Sequence, residues 1–173
     1  MNPVLIAYAT SYGSTREVAE KVAEILAERG IETNVRAAHE VDSLDDCSAV
    51  VLGGALYFFR LHKHARRFLS RHRKALKDMP VAVFAMGPFN DTEEEFAGAR
   101  YHLDRALSKQ SWLSPVSVEV FGGRFDPTGL RFPHKNPAMK KIPPADIRDW
   151  DAIRAWAETL PQALGLEKAP AES

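Results

Sequence analysis

The segment Thr10-Ser11-Tyr12-Gly13-Ser14-Thr15 is built from residues that carry hydroxyls or are glycine. It follows an apolar run, Val4 to Ala9, and precedes Val18, Val22, Ile25 and Leu26 at helical spacing. A turn of this composition between a buried strand and a helix is an anion cradle. Backbone N–H groups at the helix start point outward, the helix dipole favours negative charge, and short hydroxyls close the ring. No lysine or arginine lies within Thr10 to Thr15, so an anion there is held by neutral donors. Three other phosphate or metal loops are excluded. The G-K-[ST] of a Walker loop is absent, and Gly13 stands alone where a dinucleotide fingerprint needs G-x-G-x-x-G. A Mg²⁺-holding receiver loop needs acidic residues at strand ends that here read Ala9-Thr10 and Gly53-Gly54.

Other side chains offer less chemistry. Cys47 is the single cysteine, which excludes an intrachain disulfide, a cysteine-cluster zinc site and an iron–sulfur cluster. His62 and His64 stand at the start of a helix, where they can meet a substrate, but no carboxylate or metal-ligand spacing pairs with them. His72 falls on that helix's apolar face and reads as a core histidine. No side chain is assigned as catalytic acid or base, and no metal site is expected. Ser14 with Glu17, and Thr92 with Glu95, match the S/T-x-x-E capping box of a helix start.

The elements that must carry these residues alternate. Continuous apolar runs at Val4 to Ala9, Ala49 to Leu52 and Val81 to Met86 read as strands buried on both faces. Ile31, Thr33 and Val35 alternate with polar residues, as do Val116, Val118 and Val120, which suits edge strands. Helical spacing marks Leu61 to Leu76, Phe96 to Leu107 and Ile147 to Leu160, and Gly30 stops the first helix. Between Arg36 and Ala49 there is room for about one turn, near Val41 to Asp45. Five strands with intervening helices predict an α/β domain with a parallel sheet covered on both faces, in the order 2-1-3-4-5. One domain is expected over 1–165. It includes an irregular basic loop at 124–146, with a frayed tail at 166–173.

Composition is consistent with that reading. The chain has 173 residues, 45% hydrophobic and 27% charged, with 23 basic and 23 acidic side chains. One core of this size needs no staple. A neutral balance argues against a dedicated nucleic-acid binder. No basic n-region precedes the first apolar run, and no apolar stretch reaches the ~18 residues of a membrane span, so a cytoplasmic location is expected. Charge is nevertheless concentrated. Arg60 to Lys77 holds eight basic residues and no acidic one. Arg124, Arg131, Lys135, Lys140 and Lys141 face only Asp126 in the proline-broken loop. Such a surface suits an anionic partner or lipid headgroups as well as plain solvation.

T-S-Y-G-S-T resembles the T-x-x-G-x-T phosphate loop of the flavodoxin superfamily. More narrowly, the chain resembles the flavodoxin-like, menaquinone-dependent protoporphyrinogen oxidases of heme synthesis. Y-G-S-T-R-E-V-A at Tyr12 to Ala19, V-V-L-G-G-A-L at Val50 to Leu56, His62 and Ser111-Trp112 carry that likeness. The resemblance implies a flavodoxin-like three-layer sandwich binding FMN. The phosphate would be held by Thr10, Ser11, Tyr12, Gly13, Ser14 and Thr15. The ring would be walled by Ala55, Leu56, Tyr57 and Phe58 after strand three, and by Gly87, Pro88 and Phe89 after strand four. The chain departs from the oxidase pattern where Ala55-Leu56-Tyr57 replaces Ser-Ile-Arg and Phe59 replaces a glycine. The apolar helical insertion of that family is also reduced here, to Phe125, Leu130, Phe132 and Met139.

Three functions are open at this point. The chain is an FMN-dependent oxidoreductase acting on a small-molecule redox substrate and a quinone, an electron carrier between redox proteins, or a flavin-free binding domain. The resemblance implies that carriers are typically acidic, so the neutral charge and basic helix favour the enzyme. Peripheral contact with the inner face of a membrane, through the basic surface, accompanies the quinone reading.

Overall fold

The computed structural model describes residues 1–131 and 136–167. Phe132, Pro133 and Lys135 of the basic loop, and residues 168–173 of the tail, lie outside the described residues. In chain order the elements are β1 (Val4–Ala9), α1 (Ser14–Glu28), β2 (Thr33–Ala37), β3 (Ala49–Tyr57), β4 (Arg60–Leu61), α2 (Lys63–Arg71), α3 (Arg73–Leu76) and β5 (Val81–Met86). They continue with α4 (Glu93–Ser108), β6 (Ser117–Phe121), β7 (Arg124–Phe125), α5 (Pro137–Lys140), β8 (Ala145–Asp146) and α6 (Trp150–Ala163). The five parallel strands run β2-β1-β3-β5-β6, with β4 folded back antiparallel on the end of β3. Counting parallel strands alone, this is the expected 2-1-3-4-5.

Side chains of each central strand alternate between two cores. Val4, Ile6, Val51 and Phe84 face α1 and α6, meeting Val22, Ile25, Ile153 and Leu160. Leu5, Ala7, Leu52 and Val83 face α2, α3 and α4, meeting Phe68, Leu69 and Leu103. Both faces are covered, so the central strands can be apolar throughout.

Several expectations are corrected. β3 does not end at Gly53-Gly54 but runs on to Tyr57. These glycines are there for packing. A Cβ on Gly53 would lie 2.2 Å from the Phe84 ring, and one on Gly54 would lie 2.7 Å from Leu61. The helix expected from Leu61 to Leu76 breaks at His72 into α2 and α3. The single turn expected near Val41 to Asp45 lies earlier, as a 3₁₀ turn at Ala38–Glu40. Val116 precedes β6 and is exposed, and Ile147 precedes α6, where Asp149 caps Ala152 N–H at 3.0 Å. The loop at 124–146 holds a two-stranded antiparallel ribbon of β7 and β8. At the other end, Leu166 packs on the core, and its N–H donates to Pro161 O at 2.8 Å.

His72 is a core residue, as expected. Its side chain is buried against Phe68, and Nε2 lies 3.1 Å from Val41 O. Burial lowers its pKa from the ordinary value, opposed by the Val41 carbonyl; neighbouring Arg71 lowers it further and Asp42 raises it. A histidine depressed in the folded state binds its proton more readily when unfolded. Its stabilising contribution is full above the unfolded pKa, ~6.5, and is lost as pH falls through the depressed folded value. His64, also depressed by burial and by His39, acts in the same direction. Thermal stability is therefore expected to decline from pH 7.5 to 5.5. His72→Gln, which keeps a donor for Val41 O, should flatten that decline in melts recorded across the window.

Candidate functional site

The order β2-β1-β3 places a topological switch point at the carboxyl end of β1, where chain connections leave in opposite directions. Thr10 to Thr15 lies there. Gly13 adopts φ 90°, ψ −10°, a left-handed conformation that favours glycine. Tyr12 N–H and Gly13 N–H donate to Thr10 Oγ1 at 3.3 and 3.0 Å, which curls the loop. Gly13 is the N-cap of α1, so the expected Ser14–Glu17 capping box does not form. Ser14 and Thr15 become first-turn residues, whose amides have no carbonyl partner within the helix. Thr15 is fully buried, and among the described residues its hydroxyl is a buried side-chain oxygen with no hydrogen-bond partner. Glu17 instead pairs with Arg148, and lies 3.9 Å from Arg124. At the second predicted cap, Thr92 Oγ1 accepts from Glu95 N–H at 3.2 Å. The Glu95 carboxylate, however, reaches back to Phe89 N–H at 3.2 Å and Asn90 N–H at 3.1 Å. The bond from the Asn90 side-chain amide, followed by these two backbone bonds and opposed by burial, holds its pKa below the usual carboxylate range, and together they fix the loop after β5.

The second wall is a tight hairpin. Tyr57 pairs with Arg60 across a two-residue turn, Phe58-Phe59, with φ 48° and 65°. Two positive φ values mark the turn type that normally carries Asn-Gly. Both phenylalanines are more than half exposed, and Phe59 lies 4.9 Å from the His102 ring. The Tyr57 hydroxyl accepts from Ser11 N–H at 3.4 Å, and its ring meets Tyr12 edge-on at 6.0 Å. Burial raises the Tyr57 pKa.

These parts enclose a cavity of about 820 Å³. Ser11, Tyr12, Ser14, Leu56, Tyr57, Phe58, Gly87, Pro88 and Phe89 line it. Thr10, Gly13 and Thr15 lie behind its lining as the body of the cradle. Ala55 is a buried strand residue whose carbonyl accepts from His62 N–H at 2.8 Å, set back from the cavity wall. Residues not anticipated as site residues complete the lining, among them Glu94 and His102 of α4, and Arg124, Phe125, Arg131 and Met139 of the loop before α6. Phe125 packs on Phe89 at 5.3 Å. Arg131 stands 5.4 Å over the Tyr12 ring and donates to Ser11 O, so a cation does reach the cradle, from far along the chain. The basic loop composition was the only signal for it. The basic residues of α2 and α3 do not line the cavity; Arg71 pairs with Asp42 at 3.2 Å and Arg73 covers Trp112.

The donor set fits a phosphate monoester joined to a flat apolar group. A buried orphan hydroxyl and first-turn amides sit at one end, and aromatic residues from the loops after β3 and β5 at the other. Among the described residues, no group of three or more His, Cys, Asp or Glu is placed to hold a metal ion, and no helix is long and apolar enough to cross a membrane.

Comparison with known proteins agrees with this geometry. The family model described as flavodoxin domain matches residues 5–145. The chain is 30% identical over 131 residues to protoporphyrinogen IX dehydrogenase [quinone] of Escherichia coli K12, covering 75% of this chain and 70% of that one. Among solved structures it superposes on a flavodoxin from the domain Archaea with a TM-score of 0.59 at 11% identity, over 94% of this chain and 99% of that one. It also matches the Streptococcus pneumoniae TIGR4 flavodoxin with a TM-score of 0.57 at 20% identity, over 92% and 97% of the two chains.

Proposed function

The chain belongs to the flavodoxin domain family, and from that premise we propose that it binds one FMN noncovalently and works as an FMN-dependent oxidoreductase. The observation that carries this reading is the cradle with its buried, unpartnered Thr15 hydroxyl, opening onto an apolar cavity of about 820 Å³. Bound there, FMN would supply one- and two-electron transfer. The chain's own work is positioning. Ser14, Thr15 and the first-turn amides hold the phosphate. Tyr57, Phe58 and Phe89 border the ring and keep water from it. Glu95 fixes the Phe89 loop.

The substrate reading is narrower. The cavity extends past the cradle to α4 and the loop before α6, and Arg124 and Arg131 in its wall suit an anionic small molecule. This favours an enzyme similar to protoporphyrinogen IX dehydrogenase, with a quinone as acceptor, over a carrier that meets only redox proteins. The exposed arginines and lysines of α2 and α3, which lie outside the cavity, are then available for peripheral contact with an anionic membrane surface from the cytoplasmic side.

Purified protein mixed with FMN is expected to bind it stoichiometrically at micromolar concentration, with quenched flavin fluorescence and a shifted visible spectrum. Loaded protein should then oxidise protoporphyrinogen with a quinone as acceptor. A titration with no bound flavin rejects the cofactor reading. Bound flavin that is reduced and reoxidised only by redox proteins replaces the enzyme with the carrier.

A further inference from the structure

His62 is the N-cap of α2, and its side chain is almost wholly buried. Both ring nitrogens are engaged. Nδ1 accepts from His64 N–H at 3.1 Å, and Nε2 lies 3.1 Å from Ser11 Oγ. The first contact decides the second. A nitrogen that accepts from a backbone N–H carries no proton, so in the neutral ring the proton is on Nε2. His62 is therefore the donor and Ser11 Oγ the acceptor. A serine hydroxyl has one proton and two lone pairs. With one lone pair filled by His62, the proton of Ser11 is turned away from the imidazole. The Ser11 side chain also bonds the Tyr57 hydroxyl, which itself has a proton to give; Ser11 lines the cavity beside the cradle, so its proton can turn from Tyr57 to an anion bound there. The Tyr57 ring, 6.0 Å from the imidazole, borders the same contact.

We infer that His62 is a positioning residue for phosphate: by donating to Ser11 Oγ, it orients the serine hydroxyl as a donor toward the FMN phosphate. This rests on the FMN reading and adds a residue, distant in sequence from the cradle, that sets the polarity of one of its donors. It also gives the helix cap a second role. The backbone N–H that His62 caps fixes the tautomer, so the start of α2 and the phosphate loop share one imidazole.

Two substitutions separate the cap from the donor. His62→Asn keeps an acceptor where Nδ1 stands, and asparagine is a favoured N-cap, but it cannot reach Ser11. His62→Gln places an amide N–H where Nε2 stands and gives up the cap. FMN and riboflavin, which lacks the phosphate, are titrated against each by flavin fluorescence, with melting curves recorded in parallel. His62→Asn should weaken FMN about tenfold, as expected for a lost hydrogen bond to a charged group, and leave riboflavin unchanged. His62→Gln should hold FMN affinity within about twofold of wild type while lowering the melting temperature. Ser11→Ala should match His62→Asn, and the double variant should be no weaker than Ser11→Ala alone. Unchanged FMN affinity in His62→Asn overturns the assignment, as do equal losses for FMN and riboflavin, or additive losses in the double variant. If His62→Asn does not fold, His62→Ser, another favoured N-cap too short to reach Ser11, takes its place: a phosphate-selective loss supports the assignment, and unchanged FMN affinity overturns it. Wild-type protein that binds no FMN would remove the parent reading along with this one, whereas wild-type binding with an indifferent His62→Asn removes this one alone.

Discussion

Gly13→Asp is expected to weaken FMN binding by at least about a hundredfold, roughly 2.7 kcal/mol, while leaving the protein folded. A Cβ at Gly13 meets nothing within 4 Å, so the first atom of the new side chain has room. The backbone cost is that of a non-glycine residue at φ 90°, on the order of 1 kcal/mol, and aspartate tolerates left-handed backbone better than most. The charge has the larger effect. A carboxylate at this N-cap faces the first-turn amides of α1 and is attracted by the same dipole that would hold a phosphate. It becomes an internal competitor and repels the dianion as well. Gly13→Ala is the control, since it carries the strain without the charge and should lose less than tenfold. Fluorescence titrations with parallel circular-dichroism melts measure both effects. Equal losses in the two variants would put the cause in the backbone, and an Asp variant with normal affinity would move the phosphate out of this loop.

Gly53→Ala is expected to cost about 3 kcal/mol of stability, at the upper end for an overpacked core, and Gly53→Val to abolish folding. The added Cβ would stand 2.2 Å from Phe84 Cζ and 2.6 Å from Cε1. Phe84 cannot retreat, because Trp156 lies 5.7 Å away and Phe121 6.0 Å away, in the core beneath α6. Gly53 and Phe84 are register partners on adjacent central strands, so neither backbone can move without breaking the ladder. Phe84→Leu vacates the contested space at the cost of a smaller core side chain. The double variant Gly53→Ala/Phe84→Leu should thus be more stable than the sum of the single effects by 1–2 kcal/mol, within the usual range for residues in contact. Urea denaturation of the four proteins measures that coupling. Strict additivity would show that the ring is not what excludes the methyl group.

These glycines also show where the sequence stops being readable. Strand order was legible, because burial on two faces or one imprints a continuous or an alternating pattern on the strand itself. The cradle was legible for a similar reason, since its chemistry is contiguous. Gly53-Gly54 read as the end of a strand, because glycine has the same local signature in a turn as beneath a large side chain. Phe84, which decides between them, is on the next parallel strand. Glu17 read as a cap partner of Ser14, but the left-handed Gly13 shifted the cap by one residue and Arg148 drew the carboxylate away. Arg131 had no motif around it, and His62 shared a family likeness that gave no sign of its contact with Ser11. What brings them to Ser11 is the path of the chain over the sheet, which no local window contains.

The Phe58-Phe59 turn has a consequence for anyone redesigning the protein. Bulky side chains at two consecutive left-handed positions cost roughly 1–2 kcal/mol each, a cost the free chain carries in every molecule. Asn-Gly at the same two positions would relieve it, and a stability-guided design would choose that exchange early. Phe58 is also a wall of the cavity. Here thermostability and the shape of the cavity draw on the same two residues. A variant library selected on melting temperature alone would improve the scaffold by removing part of the cavity wall.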